Sequence, residues 1–452
     1  MKILSITAGA AGMYCGSCGR DNALAVELMA RGHDVTLLPL YTPTTTDEEN
    51  VSRNQVLFGG ISIYLEQYLA LFRHTPRFLD RLWDSPRVIG ALASRSLSTD
   101  PKLLGDMTIS MLEGDRGVLR KEFVKLSEWL ADEPVPDLVN LPNSLLIGLA
   151  RPLREILKRP ICCTLQGEDL FLEGLIEPYR TRAIELIRRQ VRDADCFLSV
   201  SDYYVPVMSR LLGIPPGRMA VVPLGINLSG YEPRTARRSE AQTPGRAEDD
   251  EFRVGYFARI APEKGLHVLA AAYERFRGRT GGARVRLEVA GYMSHAHAAY
   301  LESVRTALDK AGLAGEFAYR GAVDRRGKLA FLRSLDVLSV PATYDEPKGV
   351  FLLEAMASGV PVVQPRRGAF TEIVERTGGG MLVAPDDPVA LSDGLYSLWQ
   401  DRARAARLGQ AGVEGVRAHY TIARAADRLL EVYEKVRGSA VVSGFSRTSK
   451  SA

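Results

Sequence analysis

Between Tyr344 and Val363 the chain reads YDEPKGVFLLEAMASGVPVV, a run whose residue types suit a phosphorylated ligand. Glu346 and Glu354 stand eight residues apart, with Gly349 between them. Apolar residues at Val350, Leu353 and Ala357 recur at helical spacing, so a helix is expected to open at Gly349-Val350. That leaves Glu346 in the preceding loop and Glu354 about one turn inside the helix. A helix start offers unbonded N–H groups and a positive dipole end to a phosphate. Glu354 could then hold ribose hydroxyls, and Glu346 could reach a sugar beyond the phosphates. The plainer reading is a surface carboxylate and a helix-face charge.

A second segment, YFARIAPEKGLHVL at Tyr256–Leu269, places two cations beside each other. Arg259 follows an expected strand and Lys264 precedes an expected helix, so both can converge at the strand's carboxyl end. Two cations there could neutralise a departing diphosphate without a metal ion; the alternative is a solvated loop. Near the N-terminus, Gly9–Gly19 is rich in Gly and Ala but lacks a clean G-x-G-x-x-G, which argues against a dinucleotide site. Cys15-x-x-Cys18 has no partner pair, so a tight loop at a helix start is a better reading than zinc. His295 and His297 read as an exposed loop, and no metal site is expected.

These segments need elements to position them. Lys2–Ala8 reads as a strand, Asn22–Arg31 as a helix and Val35–Leu40 as a strand, a βαβ unit with a right-handed crossover. Leu138–Asn140, Ile161–Leu165 and Cys196–Val200 read as further buried strands, separated by helices at Leu145–Leu157 and Tyr179–Arg192. The pattern restarts with a strand at Arg253–Phe257, a helix at Leu266–Arg277 and a strand at Arg284–Ala290. Two alternating halves imply an α/β protein with two doubly wound domains. The expected limits are 1–232 for an N-terminal domain, with helical decoration at 42–135 that carries SIYLEQYLALF, RFLDRLW and KLSEWL. A charged linker follows at 233–251, then a second domain at 252–415. A C-terminal helix at 416–437 can return to the first domain, and a Ser-rich, basic, disordered tail closes the chain at 438–452.

Composition fits this picture. A chain of 452 residues exceeds one typical core, and 46% apolar with 25% charged residues is ordinary for a globular protein. A net charge of +4, from 58 basic and 54 acidic residues, does not call for nucleic acid. Five cysteines are too few for a secreted disulfide framework, no apolar run spans a bilayer, and MKILSITAGAAGMYC reads as a buried strand rather than a signal peptide. A cytoplasmic protein is therefore expected. The helix at Tyr179–Val191 carries Arg180, Arg182, Arg188 and Arg189, with Arg192 just beyond, around an apolar stripe. It reads as a core-facing helix with a solvated basic side, or alternatively as a membrane-facing patch.

The two motif segments, together with RGHDV, SVSDYY, VVPLGIN and the GAFTEIV–LVAPDD stretch, resemble the GT-B family of retaining glycosyltransferases, family 4 (glycosyl transferases group 1). The likeness covers nearly the whole chain except 42–135 and the tail. It implies two facing Rossmann-like domains and a cytoplasmic enzyme, at most peripheral at the inner face of the membrane, in cell-envelope or glycoconjugate biosynthesis. The implied reaction moves a hexose from a nucleoside-diphosphate sugar to a carbohydrate, lipid-linked or small-molecule acceptor, with no metal or other cofactor and no nucleic-acid partner. Carried over by motif, Glu346 touches the donor sugar, Glu354 the ribose, and Arg259 with Lys264 the diphosphate, so that Arg259, Lys264 and Glu346 are the catalytic set. Gly12, Gly16, Lys348, Gly349 and Val350 complete the donor site. Arg20, Asp21, Asn22 and Gln166 fall on the acceptor side; the plainer reading of Arg20–Asn22 is a helix cap. The family's acceptor-side histidine is replaced by Gln166, and its aromatic between Glu346 and Gly349 by Lys348. Two other classes stay open, an epimerase of the same fold and a non-catalytic nucleotide-sugar-binding scaffold.

Overall fold

Short apolar runs bounded by glycine and helix signals build two separate parallel sheets. The structure is a computed structural model that describes residues 1–9, 16–54, 56–58, 104–233 and 251–448, with side chains as far as 439. It divides into two units, Met1–Pro223 with Ile422–Ala452, and Leu224–Thr421.

Unit 1 holds strands β1 (Lys2–Thr7), β2 (Asp34–Pro39), β3 (Leu138–Leu141), β4 (Ile161–Leu165), β5 (Cys196–Ser199) and β6 (Met219–Val221). Every residue of β3, β4 and β5 is buried, as a parallel sheet covered on both faces requires. The order β2-β1-β3-β4-β5-β6, all parallel, reverses direction between β1 and β3. Such a reversal opens a crevice at the carboxyl ends of the two strands. One face of the sheet is covered by the helix Gly16–Ala30 and the last helix, Ile422–Thr448. Ile3, Leu24, Leu28 and Leu198 form one core with Leu429, Val432 and Tyr433. Arg31 bonds Asp427 at 2.5 Å and the Ala423 carbonyl at 2.8 Å, tying the two helices together at their ends.

Unit 2 holds β7 (Phe252–Phe257), β8 (Val285–Ala290), β9 (Phe317–Tyr319), β10 (Val337–Leu338), β11 (Val362–Pro365) and β12 (Gly380–Val383). Its order, β12-β11-β10-β7-β8-β9, is again all parallel and switches between β7 and β10. The expected fold class, two doubly wound α/β domains, is therefore present in both halves.

Several local readings change. The described part of the first helix already includes Gly16, so Arg20, Asp21 and Asn22 lie inside the helix and do not cap its start. The stretch read as one helix at Leu145–Leu157 is a 3-10 turn, Ser144–Leu149, followed by a helix, Ala150–Leu157. Within 42–135 the described helices are Gly105–Glu113 and Arg120–Asp132, the latter carrying KLSEWL, and the described part of 42–58 is irregular. SIYLEQYLALF, RFLDRLW and all but the ends of 233–251 lie outside the described residues. The backbone stays helical to Thr448, so the change of composition at Gly438 is not a helix end.

Candidate functional site

Both motif segments leave the unit 2 sheet at its switch point. β7 runs into Arg259 and a 3-10 turn, Pro262–Lys264, after which Gly265 (φ 74°) starts the helix Leu266–Gly278. β10 leads into Tyr344–Gly349, and Gly349 (φ 139°) starts the helix Val350–Ala357, with Glu354 its fifth residue. The two loops touch where a Cβ on Gly265 would stand 1.8 Å from the Pro341 carbonyl oxygen, so glycine is what permits the approach. The Thr343 N–H donates to the Glu263 carbonyl at 2.9 Å across the same seam. From the other side, the Ala369 N–H donates to the Glu346 carbonyl at 2.8 Å. Glu346 is thus held by its backbone before any side-chain contact is counted.

Its carboxylate is 3% exposed. The Lys264 ammonium donates to Glu346 Oε2 and lies 2.7 Å from Tyr344 Oη, and the Tyr344 hydroxyl donates to the same Oε2. Burial by itself would raise the Glu346 carboxyl, but Lys264, then Lys348, and the bonds from Lys264 and Tyr344 hold it below the ordinary carboxylate value. Burial, with the Glu346 charge adding to it, pushes the Tyr344 phenol well up, so it stays a donor. Arg259 sits at the edge of the cluster, where its Nη2 meets Glu263 Oε1 at 2.5 Å with its side chain 45% exposed. An exposed pair of that kind contributes little stability and can be exchanged for a ligand. Lys348 is half-buried.

Glu354 belongs to a second cluster. It is buried, and its Oε1 accepts from Lys328 Nζ at 2.7 Å and from the Tyr231 hydroxyl at 3.0 Å. Unit 2 therefore presents, around one switch point, two buried carboxylates, three lysines, an exposed arginine and a helix start. This set can bind a diphosphate and the hydroxyl groups on either side of it. Tyr344, Lys328 and Tyr231 were not singled out from sequence. Tyr344 lies inside a quoted motif, but Lys328 and Tyr231 reach Glu354 from 26 and 123 residues away, with no spacing signal.

In unit 1 the expected residues scatter over different tasks. Gly12 and Cys15 lie outside the described residues, and Gly16 is the first described residue of its helix. Asn22 is wholly buried; its Nδ2 donates to the Glu49 carbonyl at 2.7 Å and its Oδ1 accepts from the Val51 N–H at 3.0 Å. Its side chain fastens the segment after β2. Arg20 and Asp21 are buried neighbours at 3.7 Å, and burial pulls the Arg20 guanidinium down. Gln166 follows β4 and is buried; its Nε2 donates to the Pro142 carbonyl at 2.8 Å, and its backbone N–H donates to Glu168 at 2.8 Å. Glu168, pushed up by burial against its bonds from Ser144 and Gln166, ties the loops after β3 and β4 together. Gln166 is thus tied to the β3 loop, beside the unit 1 switch point.

The remaining candidates resolve simply. The apolar stripe of Tyr179–Gln190 is buried at Ala183, Leu186 and Ile187 while Arg180, Arg182, Arg188 and Arg189 are exposed, so its apolar face is used inside unit 1. The sulfurs of Cys18, Cys162, Cys163 and Cys196 are buried. Among the described residues no group of three or more His, Cys, Asp or Glu could hold a metal ion, and no helix is long and apolar enough to cross a membrane.

Comparison with known proteins places both units. The family described as "Glycosyl transferases group 1" matches residues 238–414, and that described as "Glycosyl transferase 4-like domain" matches residues 22–225. A GDP-mannose-dependent alpha-(1-6)-phosphatidylinositol monomannoside mannosyltransferase of Mycobacterium tuberculosis is 28% identical over 244 residues, covering 53% of this chain and 61% of that protein. A D-inositol 3-phosphate glycosyltransferase of Xylanimonas cellulosilytica is 31% identical over 229 residues, 50% of this chain and 53% of that one. The chain thus spans between half and two thirds of the length of these two curated relatives. Among solved structures, a sucrose-phosphate synthase from Thermosynechococcus elongatus matches with a TM-score of 0.69 at 18% identity, over 97% of this chain and 99% of that one. HepE of Anabaena, in complex with UDP and glucose, matches with 0.65 at 17% identity over 96% and 99%. At such identities these likenesses speak to the fold alone.

Proposed function

The chain belongs to the GT-B glycosyltransferases of group 1, and on that premise we propose that it moves a hexose from a nucleoside-diphosphate sugar to a hydroxyl-bearing acceptor, with retention at the anomeric carbon and without a metal ion. The observation that carries the reading is the Lys264–Tyr344–Glu346 cluster, built on the buried Glu346 carboxylate beside the helix start at Val350. Glu346, kept ionised by Lys264, accepts from the sugar's hydroxyls. Arg259, Lys264 and the N–H groups opening the helix take up the charge that develops on the diphosphate as the bond from C1 to the leaving oxygen breaks. The acceptor oxygen bonds to C1 on the face that the diphosphate leaves, and its proton passes to the departing phosphate oxygen. No side-chain base is needed, so Gln166 in the acceptor-side position is compatible with turnover. The mannosyl- and glycosyltransferase names of the relatives, two of which carry inositol in their acceptors' names, support a polyol or lipid-linked polyol as acceptor.

The test is a panel of UDP- and GDP-hexoses with polyol and phosphoinositide acceptors in EDTA, with product stereochemistry read by NMR. The proposal expects an α-linked product from an α-linked donor, undiminished by EDTA. It also expects Arg259→Ala to lose turnover with an unchanged melting temperature, because the exposed pair it breaks is worth only about 0–1 kcal/mol. An inverted product or a requirement for metal would overturn the mechanism, and donor conversion without any acceptor would favour an epimerase.

A further inference from the structure

Glu354 is held in a way that stability does not explain. It stands on a helix of only eight residues, Val350–Ala357, and both of its side-chain partners come from outside that helix. Lys328, 8% exposed, reaches it from the helix Arg325–Ser334. Tyr231, 6% exposed, reaches it from the segment after unit 2 begins. Tyr231 is itself fixed, since the Arg325 guanidinium lies 5.6 Å over its ring and donates to the Ser229 carbonyl at 2.7 Å. Both donors converge on one oxygen, Oε1. A buried lysine–glutamate pair is often no more stabilising than apolar residues of the same volume. Keeping this one is more readily explained by what it does to the carboxylate.

We propose that Lys328 and Tyr231 are positioning residues that occupy Oε1 of Glu354 and present Oε2 to the two hydroxyls of a nucleotide's ribose. The inference rests on the reading of Glu354 as the ribose acceptor. Its consequence is selectivity: the clamp sets discrimination between ribo- and dideoxyribonucleotides and leaves recognition of the diphosphate, made at Lys264, Arg259 and the helix start, untouched. A carboxylate released from the clamp can turn toward other donors and would lose the diol, much as loosened supporting contacts degrade other binding sites.

The experiment is calorimetry with UDP, GDP and ADP, the 2′,3′-dideoxy counterpart of whichever binds, and inorganic pyrophosphate. Wild type should prefer the ribonucleotide by about tenfold or more, and Lys328→Met should shrink that ratio to within about twofold while pyrophosphate affinity holds. Lys328→Arg, which can still donate to Oε1, should restore most of the ratio, and Tyr231→Phe should reduce it by a smaller factor. A loss that was merely structural would weaken pyrophosphate along with the nucleotides. An unchanged ratio in Lys328→Met overturns the clamp. Should that variant show no melting transition, Tyr231→Phe decides, and an unaltered ratio there overturns the clamp equally. Wild type that binds pyrophosphate but none of UDP, GDP and ADP would sink the nucleotide reading itself.

Discussion

Replacing Lys264 with methionine tests the electrostatics of the Glu346 site. Methionine fills much of the lysine stem and removes the ammonium, leaving Glu346 3% exposed with the Tyr344 hydroxyl and the nearby Lys348 charge. Breaking a buried pair by removing one partner costs roughly 3–5 kcal/mol. The remaining hydroxyl and second cation place this case at the lower end, about 3 kcal/mol, or a fall of roughly 6–12 °C in the melting temperature of a unit this size. The pH dependence carries a sign as well as a size. In wild type the folded carboxyl sits below its unfolded value, so its contribution is present above the ordinary value of 4.5 and is lost as pH falls through the folded one. In Lys264→Met the largest lowering influence is gone and burial raises the folded value above the unfolded one. The carboxyl's contribution then becomes most favourable in acid and declines as pH rises past the unfolded value. The stability gap between wild type and variant should therefore narrow between pH 7.5 and pH 5. Calorimetric melts at the two pH values read it, with Lys264→Met/Glu346→Gln closing the cycle at a cost below the sum of the single changes. An unchanged midpoint at pH 7.5, or a gap that widens in acid, would refute the reasoning.

Gly265→Ala should destabilise unit 2 by about 2–3 kcal/mol or more, because a Cβ there would lie 1.8 Å from the Pro341 carbonyl at a φ of 74°. A urea-unfolding midpoint close to wild type would show that the two loops can part cheaply. Asn22→Ala removes both bonds to the 49–51 backbone and should cost about 2 kcal/mol. Limited proteolysis should then cut first between residues 42 and 58, and an unaltered digestion pattern would show that Asn22 does not fasten that segment.

What could be read from sequence was what local pattern encodes. The alternation of short buried strands with helices in Lys2–Leu40 and again from Arg253 revealed two doubly wound halves, because strands buried on both faces must be apolar throughout. Strand order is not local: that β7 and β10 are neighbours at a reversal, which brings Lys264 to Glu346, follows from pairings 83 residues apart. Local pattern also misled where propensity was weak. Ser17, Gly19 and Asp21 are poor helix formers, so local pattern marks a helix only from Asn22 although Gly16 is already helical. Ser144–Leu149 is buried on nearly all sides, which blurs periodicity and hides a 3-10 turn inside an apolar run. The partners of Glu354 were invisible for a related reason, since Lys328 looks like any surface lysine in RRGKLAF until packing buries it.

The central claim is that unit 2 holds a nucleoside diphosphate at the β7/β10 switch point, and melting curves in the presence of UDP, GDP and ADP test it most directly. A ligand at about 100 times its dissociation constant stabilises the native state by about 2.7 kcal/mol. The account predicts that at least one of the three raises the melting temperature by several degrees, and that Arg259→Ala sharply reduces the rise. No shift with any of them at millimolar concentration, or an equal shift in the variant, would contradict it.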